Sequence, residues 1–125
     1  MARILVIDDD AAVRRAVRRV LEPLGHDVRE ADDGAAGLAL LADGGADLVI
    51  TDIFMPGQDG IETVRRIRKE FPSVKMIAMS GGDSTGRMDL RRDAVLMGAA
   101  GSLRKPFERD ELLKQVRSVL DAGPP

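Results

Sequence analysis

The chain has 125 residues, which suits one folded domain with a proper core and leaves no room for a second. Its 19 basic and 21 acidic residues give a formal charge of −2, whereas a nucleic-acid-binding module normally carries a basic surplus. Cysteine is absent and no apolar stretch approaches the roughly 20 residues that cross a bilayer, so we expect a cytoplasmic protein without disulfides, thiolate metal sites or membrane insertion.

The chain opens with a predicted strand and helix. Residues 3–7 ("RILVI") have no polar face, which predicts a strand covered on both sides. The helix predicted over 11–25 can be capped by Asp10 and ended by Gly25, with Pro23 in its last turn. Its apolar residues recur at helical spacing: Val13, Val17, Val20, Leu21 and Leu24. Its other face, which we interpret as solvated, carries four arginines: Arg14, Arg15, Arg18 and Arg19.

Strands and helices continue to alternate after this first pair. Residues 27–31 alternate apolar and polar side chains, which favours a strand near an edge of the sheet. The other strands are predicted over residues 47–51, 74–80 and 100–104. The other helices are predicted over residues 34–44, 59–71, 87–98 and 108–123.

This alternation predicts an α/β fold, with a parallel sheet that carries helices on both faces. Right-handed crossovers leave few topologies, and five strand–helix units favour the flavodoxin-like strand order 2-1-3-4-5. We therefore expect a single domain over residues 1–125, without an output domain.

Acidic residues follow two of the predicted strands. Asp8 and Asp9 end the first strand, and Asp52 ends the third. Because parallel strands end at one edge of the sheet, where ligands bind, we expect the three side chains to lie together. Crowded carboxylates raise one another's pKa unless a cation joins them, and an all-oxygen ligand set suits Mg²⁺. The sequence therefore predicts a Mg²⁺ site here.

The two remaining strand ends carry complementary groups. Ser80 ends the fourth strand and is followed by Gly81, while Lys105 comes just after the fifth. A metal ion, a hydroxyl and an ammonium around a carboxylate suit a phosphoryl group, with Asp52 as the nucleophile that forms an aspartyl phosphate. Each residue alone also fits a helix cap, a turn or a solvated surface, so the hypothesis depends on their joint occurrence.

Four stretches resemble the receiver domain of bacterial two-component response regulators, in order and spacing: "ILVIDDD", "DLVITDIFMPGQDG", "MIAMSG" and "GSLRKPF". The resemblance implies that Asp52 accepts a phosphoryl group from a histidine kinase or a histidine phosphotransfer protein. It also implies that Mg²⁺ is bound directly by Asp9, Asp52 and the backbone carbonyl of Phe54, and through a water by Asp8.

The resemblance assigns the phosphoryl-binding and switch residues as well. Lys105, Ser80 and Gly81 would bind the phosphoryl group, and the peptide between Lys105 and Pro106 would be cis. Ser80 would move toward the phosphate, and phosphorylation would shift an equilibrium between inactive and active conformations.

The sequence departs from the family's pattern at three places. Ser102 stands where an aromatic residue is usual, so aromatic-coupled switching cannot operate in its usual form at the switch positions Ser80 and Ser102. The stretch 80–105 is longer than in most receivers, and we expect a flexible loop at 83–86 and a late start of the following helix. Phe54 replaces a commonly polar residue and, with Gly82, borders the path of attacking water.

The expected function is a phosphorylation-dependent switch or phosphorelay intermediate, with a protein target and without nucleic-acid binding. We do not expect an enzyme: the chain would catalyse only its own phosphorylation and slow dephosphorylation. A phosphatase with an aspartyl nucleophile would need an acidic residue at position 54, where this chain has Phe54. Alternatives are a phosphate sink, an excised receiver of a hybrid kinase and a constitutive interaction module. The missing aromatic residue favours a relay or sink, which would use helix one and the acid pocket. An effector would use another surface: Arg91, Arg92, Ser102 and Arg104.

Overall fold

The computed structural model describes residues 2–55, 58–81 and 98–122, with only the main chain described for 54–55 and 58–59. Five strands form one parallel sheet: β1 (Arg3–Ile7), β2 (Asp27–Ala31), β3 (Leu48–Asp52), β4 (Lys75–Ser80) and β5 (Gly101–Arg104). The strand order is β2-β1-β3-β4-β5, so the predicted α/β fold and its 2-1-3-4-5 order are confirmed. The edge position predicted for residues 27–31 is confirmed too.

The described residues also form four α-helices: α1 (Ala11–Leu21), α2 (Gly34–Ala42), α3 (Gly60–Glu70) and α4 (Arg109–Asp121). Each lies within the range that the sequence predicted. The predicted helix at 87–98 and the loop at 83–86 fall almost wholly outside the described residues. Two-residue strands, Phe54–Met55 and Gln58–Asp59, pair antiparallel between β3 and α3 and were not predicted. No helix in the described parts of the chain is long and apolar enough to span a membrane.

Helix α1 begins as its cap residue predicts but ends earlier than the predicted Gly25. The Asp10 carboxylate accepts a hydrogen bond from the Ala12 N–H at 2.8 Å. The α-helix ends at Leu21, and a 3₁₀ turn over Glu22–Leu24, with Pro23 inside it, leads to Gly25 at φ 92°. Leu24 is 45% exposed, so its inclusion in the apolar face of the helix was wrong. The tighter 3₁₀ turn rotates it away from that face.

The core consists of two apolar clusters, one on each face of the sheet. In β1, Ile4 and Val6 point to the face covered by α1 and α4, and Leu5 and Ile7 point to the face covered by α2 and α3. All four side chains are at most 1% exposed, because successive residues of a strand face opposite sides and both sides are covered. The strand predicted at 3–7 is therefore confirmed, and it is covered on both sides over residues 4–7, whereas Arg3 is exposed.

Gly37 allows α2 to pack closely on β1. A Cβ atom at Gly37 would lie 2.4 Å from Ile7 Cδ1 and 2.9 Å from Ile7 Cγ1. Alanine gains about 1 kcal/mol over glycine in a helix, but an extra methyl group in a filled core costs about 1–3 kcal/mol. We expect Gly37→Ala to lower the free energy of unfolding by about 1 kcal/mol, measured by urea denaturation with far-UV circular dichroism.

The partner of this contact can be tested with Ile7→Val, which removes the Cδ1 atom. The double variant should be less destabilised than the sum of the single variants, by about 0.5–1 kcal/mol. Gly81→Ala is the control, because a Cβ there meets no described atom within 4 Å. Strict additivity of Gly37→Ala and Ile7→Val would contradict the proposed close packing.

Candidate functional site

The sheet brings the three predicted acids together. Strands β1 and β3 are neighbours, and Ile7 pairs with Thr51, so Asp8 and Asp52 are the next residues at the same edge. Carboxylate oxygens of Asp8, Asp9 and Asp52 all lie within 4.8 Å of one another. The structure thus places residues more than 40 positions apart in one acidic cluster.

The acids differ in burial. Asp8 is fully buried and Asp52 is 3% exposed, whereas Asp9 faces solvent. One oxygen of Asp8, Oδ1, accepts the Asp10 N–H at 2.9 Å, and the other, Oδ2, accepts a hydrogen bond from the Lys105 ammonium. Buried carboxylates are tolerated only when they have such partners. The cluster is therefore enclosed by the sheet on one side and open to water at Asp9.

Lys105 is the cation of the site. Its Nζ lies 2.9 Å from Asp8 Oδ2 and 2.9 Å from Asp52 Oδ2, and its side chain is 17% exposed. Burial lowers the pKa of Lys105, but hydrogen bonds to Asp8 and Asp52 and the charges of both acids outweigh burial and raise the pKa above its usual value. The side chain is consequently a full ammonium at neutral pH.

The main chain holds Lys105 against the end of β4. The Lys105 N–H donates to the Ser80 carbonyl at 2.6 Å, and the peptide between Lys105 and Pro106 is cis, as the sequence resemblance implies. Ser80 itself is the last residue of β4 and is 2% exposed. It lies one residue beyond Met79, which pairs with Asp52. Ser80 and Lys105 therefore reach the edge of the sheet where the acids lie.

Three other predicted residues surround or adjoin this edge. Gly81 is exposed, and the described residues leave open space where its Cβ would be. Phe54 opens the first two-residue strand, so its main chain leaves the sheet just after Asp52. Ser102 lies on β5 opposite Ala78, two residues before the level of Ser80, and its N–H donates to Gln115 Oε1 at 3.3 Å. Three further residues lie outside the described parts: Gly82, Arg91 and Arg92.

The acidic cluster fits a hard divalent cation. Three carboxylates offer oxygen ligands at close range, and the exposure of Asp9 leaves access for the water molecules that Mg²⁺ retains when it binds to proteins. Lys105 neutralises part of the charge of Asp8 and Asp52 without contacting Asp9 in any described hydrogen bond. The residues present can therefore hold Mg²⁺.

A shallow groove of about 430 Å³ runs beside the acids. Val13 and Ala16 of α1 line one side, and Pro106 and Phe107 line the other, with Lys105 and Gly81 at the end near the cluster. Its walls are mostly apolar side chains, and Lys105, which contacts Asp52, is one of its lining residues.

Two of the four arginines of α1 make ion pairs with the sheet: Arg14 is only 17% exposed, so the predicted solvated position was wrong for it, whereas Arg18 is 37% exposed. Arg14 Nε lies 3.0 Å from Glu30 Oε1, and Arg18 Nη1 lies 2.6 Å from Glu30 Oε2. Arg14 Nη1 also donates to the main-chain carbonyl of Asp8 at 2.6 Å. Arg15 and Arg19 are exposed, as predicted. The four-residue spacing of Arg14 and Arg18 places both side chains on one face of the helix. Their shared partner Glu30 could not be read from the sequence, because it becomes their neighbour only through the fold.

The comparisons with known proteins identify a family over most of the chain. Residues 4–117 match the family model of the response regulator receiver domain. The chain is 39% identical over 127 residues to the response regulator MprA of Mycobacterium sp. (strain KMS). The alignment covers 98% of this chain and 54% of that protein. It is 36% identical over 124 residues to the DNA-binding transcriptional regulator NtrC of Azospirillum brasilense, covering 99% of this chain and 25% of that protein.

Solved structures of response regulators are also similar to this chain. The receiver domain of NtrX from Brucella abortus superimposes with a TM-score of 0.87 at 31% identity, covering 96% of this chain and 99% of that one. The chemotaxis response regulator CheY4 of Vibrio cholerae has a TM-score of 0.83 at 30% identity, with the same coverage. The chain spans about half the length of the MprA relatives and a quarter of NtrC. Since the family model and these relatives cover most of its length, the chain belongs to the receiver domains of two-component response regulators.

Proposed function

We propose that the chain is a phosphorylation-dependent switch or phosphorelay intermediate in which Asp52 accepts a phosphoryl group from a phosphohistidine. The donor is a histidine kinase or a histidine phosphotransfer protein. The observation that carries the proposal is the convergence of Asp8, Asp9 and Asp52 within 4.8 Å, with the Lys105 ammonium 2.9 Å from two of them. A nucleophilic carboxylate, a metal-ligand set and a phosphoryl-binding cation thus share one sheet edge.

In the transfer step, a carboxylate oxygen of Asp52 attacks phosphorus. A P–O bond forms as the P–N bond to the donor imidazole breaks, and the imidazole nitrogen keeps the electron pair and is protonated from solvent. The Lys105 ammonium then binds a phosphoryl oxygen, and the Ser80 hydroxyl and the Gly81 N–H donate to the others. Asp9, Asp52 and the Phe54 carbonyl would hold Mg²⁺, with Asp8 acting through a water, and the bound ion would supply charge neutralisation for the phosphoryl group.

The switch begins at Ser80. Its carbonyl accepts the Lys105 N–H at 2.6 Å, so a main-chain movement of Ser80 toward a phosphoryl group would also displace the start of the segment after β5. Phosphorylation then shifts the population between two conformations. Ser102 has no ring that could follow this movement, which favours a relay or phosphate-sink role over an effector role at that surface.

The groove beside the acids supports the choice of partner. Its apolar lining by Val13, Ala16 and Phe107 suits an apolar helix of the donor protein, placed with its histidine near Asp52. We propose that this receiver domain acts in the cytoplasm, through another protein or by onward phosphoryl transfer. An excised receiver of a hybrid kinase is the alternative, and a constitutive interaction module would leave the acidic cluster without a function.

The phosphoacceptor is tested with Asp52→Asn. After incubation with acetyl phosphate and Mg²⁺, the intact mass of the wild type should increase by one phosphoryl group, and that of Asp52→Asn should not change. Asp47→Asn is the matched control, because Asp47 is an exposed acid at the opposite end of β3 and should leave the adduct intact. A stable single adduct on Asp52→Asn would exclude Asp52 as the nucleophile.

The metal site is tested with Asp9→Asn. We expect Mg²⁺ affinity to fall by about 100-fold. Substitution of residues that only orient metal ligands lowers affinity by about 10- to 100-fold, and loss of a direct ligand should reach the upper end of that range. Isothermal titration calorimetry measures the change. Asp10→Asn removes the same charge from the next residue, which caps α1 instead of joining the cluster, and should change affinity by no more than about two-fold. Equal losses in both variants would place the metal elsewhere.

The switch role of Lys105 is tested with Lys105→Ala. Without the ammonium, phosphorylation can still proceed at Asp52, but the phosphoryl group loses its contact with the segment after β5. We expect the mass adduct to form while the phosphorylation-dependent change in amide hydrogen exchange over 98–107 disappears. Lys69→Ala, an exposed change on α3, should respond like the wild type. A wild-type exchange response in Lys105→Ala would remove Lys105 from the switch.

A further inference from the structure

Arg14 connects the acidic cluster to the edge of the sheet. Its Nη1 donates to the Asp8 carbonyl at 2.6 Å, and its Nε donates to Glu30 Oε1 at 3.0 Å. The side chain is 17% exposed, so the guanidinium is largely enclosed between α1 and the sheet. A planar guanidinium holds two acceptors in a fixed relative orientation, which a lysine ammonium does not.

The Asp8 carbonyl belongs to the peptide unit that joins Asp8 to Asp9. Because that unit is planar, its orientation sets the direction in which the chain proceeds to Asp9. The rest of Asp8 is held separately: its N–H donates to the Ala31 carbonyl at 3.1 Å, and its carboxylate contacts Asp10 and Lys105. The exposed Asp9 carboxylate makes no hydrogen bond to another described residue, so its position depends on the two peptides that flank it. The Asp10 N–H fixes the following peptide on Asp8 Oδ1, and Arg14 fixes the preceding one.

Glu30 gives Arg14 a rigid anchor. Its second carboxylate oxygen accepts a hydrogen bond from Arg18 Nη1 at 2.6 Å, and Arg18 also donates to the Val28 carbonyl of β2. Glu30 lies on β2 opposite Val6 of β1, one residue before the level of Ile7. Arg18 has a second acidic neighbour in Glu22, at 3.3 Å. The charges of two cations and two anions thus cancel. The network therefore affects the acidic cluster mainly by fixing the position of the main chain, and not through its net charge.

We propose that Arg14 is a positioning residue for the metal site. By fixing the Asp8–Asp9 peptide against Glu30, it directs the Asp9 carboxylate and thereby sets the affinity and selectivity for Mg²⁺; this rests on the proposed function, in which Asp9 is a direct ligand. Mg²⁺ demands near-ideal octahedral geometry at short distances, whereas Ca²⁺ accepts variable geometry. Loss of the restraint therefore weakens Mg²⁺ binding more than Ca²⁺ binding.

Loss of charge and loss of positioning predict opposite changes in cation affinity when Arg14 is removed. Removing a positive charge near a cation site should strengthen cation binding if charge alone matters. Removing the restraint on Asp9 should weaken it. Arg14→Lys separates the two effects further. It keeps the positive charge but lacks the planar guanidinium that holds Glu30 and the Asp8 carbonyl in a fixed relative orientation.

The experiment compares Arg14→Ala and Arg14→Lys with Arg15→Ala and Arg15→Lys in the full chain. Arg15 is the exposed neighbour, so its variants make the same chemical changes without touching Asp8 or Glu30. Titration calorimetry with Mg²⁺ and with Ca²⁺ gives both affinities. We expect both Arg14 variants to lose about ten-fold in Mg²⁺ affinity, the lower end of the range for residues that orient ligands, and less in Ca²⁺ affinity. The Arg15 variants should stay within about two-fold of the wild type for both ions.

Thermal unfolding in EDTA verifies that the variants are folded, and Arg14→Lys carries the test if Arg14→Ala is not. Unchanged or tighter Mg²⁺ binding in the folded Arg14 variants, or equal losses for Mg²⁺ and Ca²⁺, overturns the positioning role. If Asp9→Asn binds Mg²⁺ like the wild type, the proposed metal site is overturned and this inference with it. If Asp9→Asn loses Mg²⁺ while the Arg14 variants retain it, only this inference fails.

Discussion

The Lys105 ammonium between Asp8 and Asp52 is the interaction on which the rest of the site depends. Burying two carboxylates, each at most 3% exposed, costs free energy unless a partner group of opposite charge lies beside them. Lys105 supplies that partner from 53 residues beyond Asp52, and its N–H is in turn bound to the carbonyl of Ser80. The Lys105 side chain thus partly balances the negative charge of the acids, and the same residue links the third, fourth and fifth strands at the edge that holds the acidic cluster.

The main features of the fold and site could be predicted because they depend on patterns within short segments. Uninterrupted apolar runs identified the buried strands, and alternation with helices restricted the strand order. Once the strands are parallel, Asp8, Asp52 and Lys105 must lie at one edge, whatever their separation in sequence. The exposed position of Asp9 beside the buried Asp8 depends instead on the turn into α1, which the acidic run alone does not reveal.

The features that could not be predicted arise from contacts between elements. Arg14 and Arg18 have the spacing of an ordinary polar helix face, and only the position of β2 beside α1 gives them Glu30 as a partner. Leu24 continued the apolar period, but a 3₁₀ turn at Pro23 changes the rotation per residue. The pair of two-residue strands after β3 is too short to carry any period of hydrophobicity. Each case involves geometry that a local pattern does not encode.

The hydrogen bond between Ser102 and Gln115 also affects how the domain meets other chains. Strand β5 forms one edge of the sheet, and exposed edge N–H groups can pair with a strand from another molecule. Gln115 of α4 occupies the Ser102 N–H, and it can lie so close because a Cβ at Gly101 would be only 2.5 Å from its Oε1. A glycine with no chemical role thus lets the last helix cover part of the sheet's edge, which opposes strand addition and the aggregation that can follow it.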